Sequence, residues 1–199
     1  MISEIHVYYE GHKLFKEGFS QFFVQLRQRA HERRCHFRLI PSGSGSAACD
    51  RFNVAIRANK NVWNILLTDS EGPDMGSLSE SLCRRYDWDG NHRDSIFWMV
   101  EMMESWLHAD KDKLEEFYGR GFRRNALKAN PRVEEISKAD LENGFKAATK
   151  DTGKGDYFDH KTSHGPKLLC EISPEKVQGA APNCRRLFAA VLAKLNEPG

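Results

Sequence analysis

The sequence predicts an α/β fold: a doubly wound parallel sheet with helices on both faces over roughly residues 1–110, and a helical C-terminal extension packed on it over 111–199. Three observations carry this. Across the first hundred residues short β-rich runs alternate with longer segments of helical period, the pattern of parallel strands joined by crossover helices. Val62-Trp63-Asn64-Ile65-Leu66-Leu67-Thr68 is a continuous apolar run between polar residues, which suits a strand covered on both faces. Beyond residue 110 the apolar residues keep only a helical spacing.

The elements follow in order. Ile5-His6-Val7-Tyr8-Tyr9 is the first strand. From Leu14, Phe15, Phe19, Phe22, Phe23, Leu26 and Ala30 recur at helical spacing, so one amphipathic helix with a buried aromatic stripe is expected. Cys35 to Ile40 is the second strand, stopped by Pro41 and the loop Ser42-Gly43-Ser44-Gly45-Ser46, which lacks the lysine-threonine ending of a P-loop and reads as a flexible turn. Phe52, Ala55, Ile56 and Asn59 mark a second helix and Val62–Thr68 the third strand. A short helix is expected around Leu78–Arg85, and Ile96–Val100 is the fourth strand. Later, Asp110 is expected to cap a helix that Gly119 ends, Ser137-Lys138-Ala139-Asp140 has capping-box spacing, and Asn183 is expected to cap a last helix whose stripe is Cys184, Leu187, Phe188, Val191, Leu192 and Leu195.

With 199 residues, 40% of them hydrophobic and 29% charged, the chain is neither disordered nor collagenous, and it is long enough for a core without staples. Five cysteines, an odd number with no C-x-x-C pair, argue against a disulfide framework and a zinc ribbon. The start, Met1-Ile-Ser-Glu-Ile-His-Val, lacks a secretion-signal pattern and no apolar run reaches a membrane span, so a cytoplasmic location is expected. The net charge of +2 hides an asymmetry: residues 1–119 are net acidic and residues 120–199 net basic. Arg120, Arg123, Arg124, Lys128 and Arg132 form a basic cluster that is a candidate track for a nucleic-acid backbone, the alternative being a solvated face.

Ligands of an open parallel sheet sit beyond the carboxyl ends of its strands. Three acids fall there: Glu10 after the first strand, Asp69 and Glu71 after the third. Residues two apart in extended chain point the same way, so Asp69 and Glu71 are expected to converge, with Glu10 facing them if the two strands are neighbours. Such a trio calls for a hard cation, Mg²⁺ before others; the alternative is three acids that cap helices or end strands in water. Glu104 is a candidate to join or orient this site, its alternative being a charge at a helix N-terminus. His160 and His164 are four apart, but Gly165-Pro166 follows and no metalloprotease glutamate is present.

Tyr9-Glu10-Gly11, Leu67-Thr68-Asp69-Ser70-Glu71-Gly72-Pro73 and the segment Met99 to Asp110, with its Met-Glu-x-Trp core, resemble an uncharacterised Toprim-like domain-of-unknown-function family (DUF4276-like). The resemblance extends to Tyr157, Lys161, Leu168-Leu169, Pro174 and Cys184-Arg185. It implies a Toprim/Rossmann-like sheet related to the catalytic domains of topoisomerases, primases and overcoming-lysogenisation-type nucleases. It further implies Glu10 as general acid or base, Asp69 and Glu71 as holders of Mg²⁺ or Mn²⁺, Lys161 as a neutraliser of transition-state charge, and phosphodiester cleavage of DNA or RNA. An AAA/ABC-type ATPase partner and a role in phage defence come with the same resemblance. Glu71 stands where aspartate is usual, which leaves room for a catalytically silent module docking on an ATPase, or for a nucleic-acid binder without catalysis.

Overall fold

The computed structural model describes residues 2–58, 62–73, 75–88 and 90–197. Four strands, β1 (Glu4–Tyr9), β2 (His36–Pro41), β3 (Val62–Asp69) and β4 (Ile96–Met99), form one parallel sheet in the order β2-β1-β3-β4. Helices α1 (Phe15–Phe22), α2 (Val24–Glu32), α3 (Gly45–Ala58) and α4 (Met75–Tyr86) lie between the strands, and α5 (Glu104–His108), α6 (Lys111–Tyr118), α7 (Lys138–Thr149), α8 (Lys161–Glu171), α9 (Pro174–Ala180) and α10 (Pro182–Asn196) follow β4.

The strands are covered on both sides because their apolar residues alternate. Ile65, Leu67, Phe97 and Met99 enter one core with α1, α2 and the C-terminal helices; Leu66, Ile96 and Trp98 enter the other with Ala48, Cys49, Phe52 and Trp88. The first core runs unbroken past residue 110: Trp106 stacks on Phe22 at 5.1 Å between ring centroids, and Phe188 of α10 meets Phe22 edge-on at 5.9 Å. Trp106 is therefore packing. Helices α1 and α8 approach closely through two glycines: a Cβ on Gly18 would fall 2.7 Å from the Pro166 carbonyl, and one on Gly165 2.7 Å from the Phe15 ring.

Several local expectations are corrected. The single helix from Leu14 breaks at Phe23 (φ −93°, ψ 18°), which lets consecutive Phe22 and Phe23 both enter the core; an unbroken helix would splay them. The serine-glycine turn ends two residues early, because Gly45 already begins α3 and the Ser44 hydroxyl accepts the Ala47 N–H at 3.3 Å. Asp110 makes no cap bond; its carboxylate accepts Ser173 N–H at 3.0 Å and pairs with Lys176 at 2.7 Å, tying α6 to α9. Asn183 lies inside α10, behind Pro182, and Glu134 caps that helix by accepting the Asn183 N–H at 2.8 Å. Leu192 is 38% exposed, outside the stripe that Cys184, Leu187, Phe188, Val191 and Leu195 bury. The expected helix end at Gly119 (φ 65°) and the cap at Ser137, which accepts Asp140 N–H, are as read; Asn59 lies outside the described residues. Among the described residues, no helix is long and apolar enough to cross a membrane.

Candidate active site

The sheet order places the direction change of the chain between β1 and β3, so the loops leaving these neighbours diverge and open a cavity of about 250 Å³. Glu10, Asp69, Lys161, His12, Phe15 and Met103 are among its walls.

Glu10 is positioned from three sides. Its N–H donates to the Leu67 carbonyl at 2.9 Å, continuing the ladder one residue past β1. Gly11 then turns at φ 141°, a conformation open to glycine, and pairs with Gly43 through Gly11 N–H to Gly43 O at 2.7 Å and the reverse bond at 3.1 Å. The carboxylate oxygen Oε2 accepts the Thr68 hydroxyl at 2.5 Å and the Asp69 N–H at 3.1 Å. It also lies against the first turn of α3, where a Cβ on Gly45 would fall 2.8 Å away and where the positive end of the helix dipole favours an anion.

Asp69 ends β3, and its Oδ1 accepts the Met103 N–H at 2.9 Å. Burial, then the charges of Glu10 and Glu104, push its carboxyl well above the ordinary range, while Lys161 opposes the shift. Lys161 opens α8, and its Nζ pairs with Glu104 Oε1 at 2.8 Å. The same oxygen accepts the Tyr157 hydroxyl at 2.7 Å. Glu104 is 0% exposed, and its Oε2 has no hydrogen-bond partner among the described residues. Glu104 therefore lies behind the cavity wall and anchors Lys161.

Glu71 is brought elsewhere. Its φ of 56° is left-handed, so the rule that aligns residues two apart ends with the strand at Asp69. Its exposed carboxylate pairs with the Lys138 ammonium at the start of α7, where Glu101 Oε2 also accepts the Lys138 N–H at 2.6 Å. Among the described residues no group of three or more His, Cys, Asp and Glu is arranged to hold a metal ion. The expected trio is thus a pair, Glu10 and Asp69, with Glu71 outside the cavity.

The basic cluster is largely neutralised within the chain: Arg123 pairs with Asp151 at 2.6 Å, Arg124 with Asp112 at 2.7 Å and Glu115 at 3.0 Å, Lys128 with Asp140 at 3.1 Å, and Arg132 with Glu135 at 3.0 Å, leaving Arg120 exposed. His164 is buried against the Tyr118 hydroxyl at 3.1 Å. Sequence reasoning missed Thr68, Gly45, Met103 and the wall formed by Phe15 and Phe19. Tyr157 meets Glu104 across 53 positions, a distance at which no local pattern signals contact.

No curated protein and no solved structure matches this chain significantly. One family model does, over residues 12–192, and the chain accordingly belongs to the family described as domain of unknown function DUF4276.

Proposed function

We propose that this protein is a Mg²⁺-dependent enzyme of Toprim type that cleaves a phosphodiester bond of nucleic acid. The observation that carries the reading is the convergence of Glu10 and Asp69 with Lys161 in one cavity at the carboxyl ends of neighbouring parallel strands. The donor set fits the ion. Magnesium takes hard oxygen, commonly from one or two carboxylates plus substrate phosphate, and a cation would offset the burial and the repulsion that together raise the Asp69 carboxyl. Glu10 and Asp69 would hold it, and when bound it supplies polarisation of the phosphate and stabilisation of charge on the reacting oxygens.

The remaining roles belong to the chain. One oxygen of each carboxylate is fixed by a main-chain N–H, so the other is presented without rotamer freedom. Glu10 is also the carboxylate placed to move a proton. Lys161, aimed by Glu104 and Tyr157, offsets the negative charge of the phosphoryl group.

A second reading is favoured by one observation, the capture of Glu71 by Lys138: a catalytically silent module that docks on an ATPase. One experiment separates them. Purified protein is assayed for nicking of DNA and RNA with Mg²⁺ or Mn²⁺. Activity lost in Glu10→Gln and Asp69→Asn supports catalysis, and activity unchanged in both overturns the assignment. Silence of the wild type with stoichiometric co-purification of an ATPase supports the docking module.

A further inference from the structure

A second cavity, of about 200 Å³, lies away from the carboxylate pair, between the end of α5, the start of α6, the segment from Arg124 to Val133, and α9. It is several times the roughly 30 Å³ that one water occupies. Its polar lining is His108, Lys111, Asp112, Arg124, Asn130 and Lys176, three cations against one carboxylate.

Two features set it apart from a solvated dent. His108 is 2% exposed, and neither of its ring nitrogens has a hydrogen-bond partner among the described residues. Buried polar atoms in folded proteins are nearly always satisfied, and each orphan is costly. Imidazole carries a donor and an acceptor when neutral, so one residue lining this cavity holds two orphans. The second feature is the state of the cations. Arg124 and Lys176 clasp Asp112 at 2.7 and 2.8 Å, with Glu115 and Asp110 behind them, whereas Lys111 has no carboxylate partner among the described residues and bonds only the Lys128 carbonyl. Lys111 is the unbalanced charge of the site, and burial with the nearby Arg124 disfavours its charged form until an anion arrives.

We propose that this cavity binds a phosphate group, with Lys111 as its counter-charge and His108 as its buried hydrogen-bond donor. The rigid neighbours suit a compact oxyanion. Arg124 and Lys176 are already oriented by Asp112 and present their remaining N–H groups without further ordering. The phosphate comes either free or as a small phosphomonoester. The site is independent of the chemistry proposed at Glu10 and Asp69.

The test uses the full chain in chloride buffer of matched ionic strength, titrated with inorganic phosphate and separately with glycerol phosphate, by calorimetry and by thermal unfolding. The expected result is saturable binding by the wild type; ligand at about a hundred times its Kd shifts the folding equilibrium about a hundredfold. Lys111→Met should weaken binding roughly tenfold or more, the loss of one charge-assisted contact, His108→Leu should weaken it as well, and Lys194→Met should leave it unchanged. Circular dichroism verifies that each variant is folded, and the side-chain ¹⁵N resonances of His108 should move with phosphate in the wild type. Binding of the monoester over inorganic phosphate assigns the source as an ester; the reverse assigns free phosphate. No saturable binding of either probe, or equal affinity in wild type and Lys111→Met, overturns the proposal and leaves a hydrated cavity.

Discussion

The backbone N–H of Asp69 donates to the carboxylate of Glu10 at 3.1 Å, so the two acids are locked by the register of β1 on β3. Tyr9 lies opposite Leu67 in that register, which sets Glu10 beside Thr68 and Asp69. Met103, in the loop after β4, holds the other acid by its N–H. The carboxylates are therefore fixed by backbone from two neighbouring strand ends, an arrangement that resists rearrangement better than side-chain contacts alone.

The tightest support of Glu10 is an absent side chain. Alanine at position 45 would bring Cβ to 2.8 Å from Glu10 Oε2 and 3.1 Å from Thr68 Oγ1. The carboxylate is the end of a side chain and is displaced, giving up its bonds from Thr68 and the Asp69 N–H. Gly45→Ala should therefore lower stability by about 1–3 kcal/mol, the worth of the two hydrogen bonds that Glu10 gives up. Nicking should fall about a hundredfold, as expected for a reacting group misplaced by about an ångström. Paired denaturation and nicking assays check this; full activity in a folded variant would show that Glu10 need not stay where Gly45 lets it lie.

The sheet was legible because its signals are local: the period of two in Ile5 to Tyr9 and the apolar run to Thr68 needed only nearest neighbours. Glu10 and Asp69 were legible for the same reason, as strand-end acids. What failed depended on geometry beyond the strand. Glu71 left the extended conformation after one residue, and Lys138, 67 positions on, gave it a partner that no spacing announces. Asp110 and Asn183 had cap-like neighbours in sequence, but tertiary contact with Ser173 and Lys176 draws the Asp110 carboxylate away from its helix, and Glu134 caps the last helix in place of Asn183.

Glu71 and Lys138 form an ion pair with both side chains well exposed, 59% and 36%. Such pairs contribute roughly 0–1 kcal/mol. Glu71→Gln should therefore change stability by less than about 1 kcal/mol and leave Mn²⁺ binding and nicking intact, in contrast to Glu10→Gln and Asp69→Asn. Calorimetric Mn²⁺ titration of the three variants decides it. A loss of metal affinity of roughly tenfold or more in Glu71→Gln would return this residue to the metal site, as a ligand or as the partner of one.

Lys161 faces Glu104, a carboxylate fully withdrawn from water. Removing the lysine strands that charge with only the Tyr157 hydroxyl. A fully buried pair so broken loses about 3–5 kcal/mol, and because Lys161 is itself about a third exposed, Lys161→Met should lose about 2 kcal/mol. Glu104→Gln added to Lys161→Met should recover most of the stability in urea denaturation, since the stranded charge is gone. It should not recover nicking. Recovery of both would mean that the ammonium serves only the fold.

His108 sets a pH dependence that can be read separately from the catalytic cavity. Burial first, and Lys111 second, lower its pKa to about 4, against about 6.5 in an unfolded chain. Arg124 and Lys176 line the same cavity and are both paired with Asp112. With the folded value depressed, the native state holds the neutral ring and the unfolded state binds the proton first. The stabilisation is full above about pH 6.5 and is lost as pH falls towards about 4, amounting to about 3 kcal/mol at most. His108→Leu removes the titration together with two unpartnered nitrogens, so it should match or exceed the wild type near neutrality. Urea midpoints in phosphate-free buffer between about pH 7 and about pH 4 should therefore fall more steeply for the wild type than for the variant. Parallel curves would show that His108 gains its proton freely in the native state, and hence that water or an acceptor already reaches its ring.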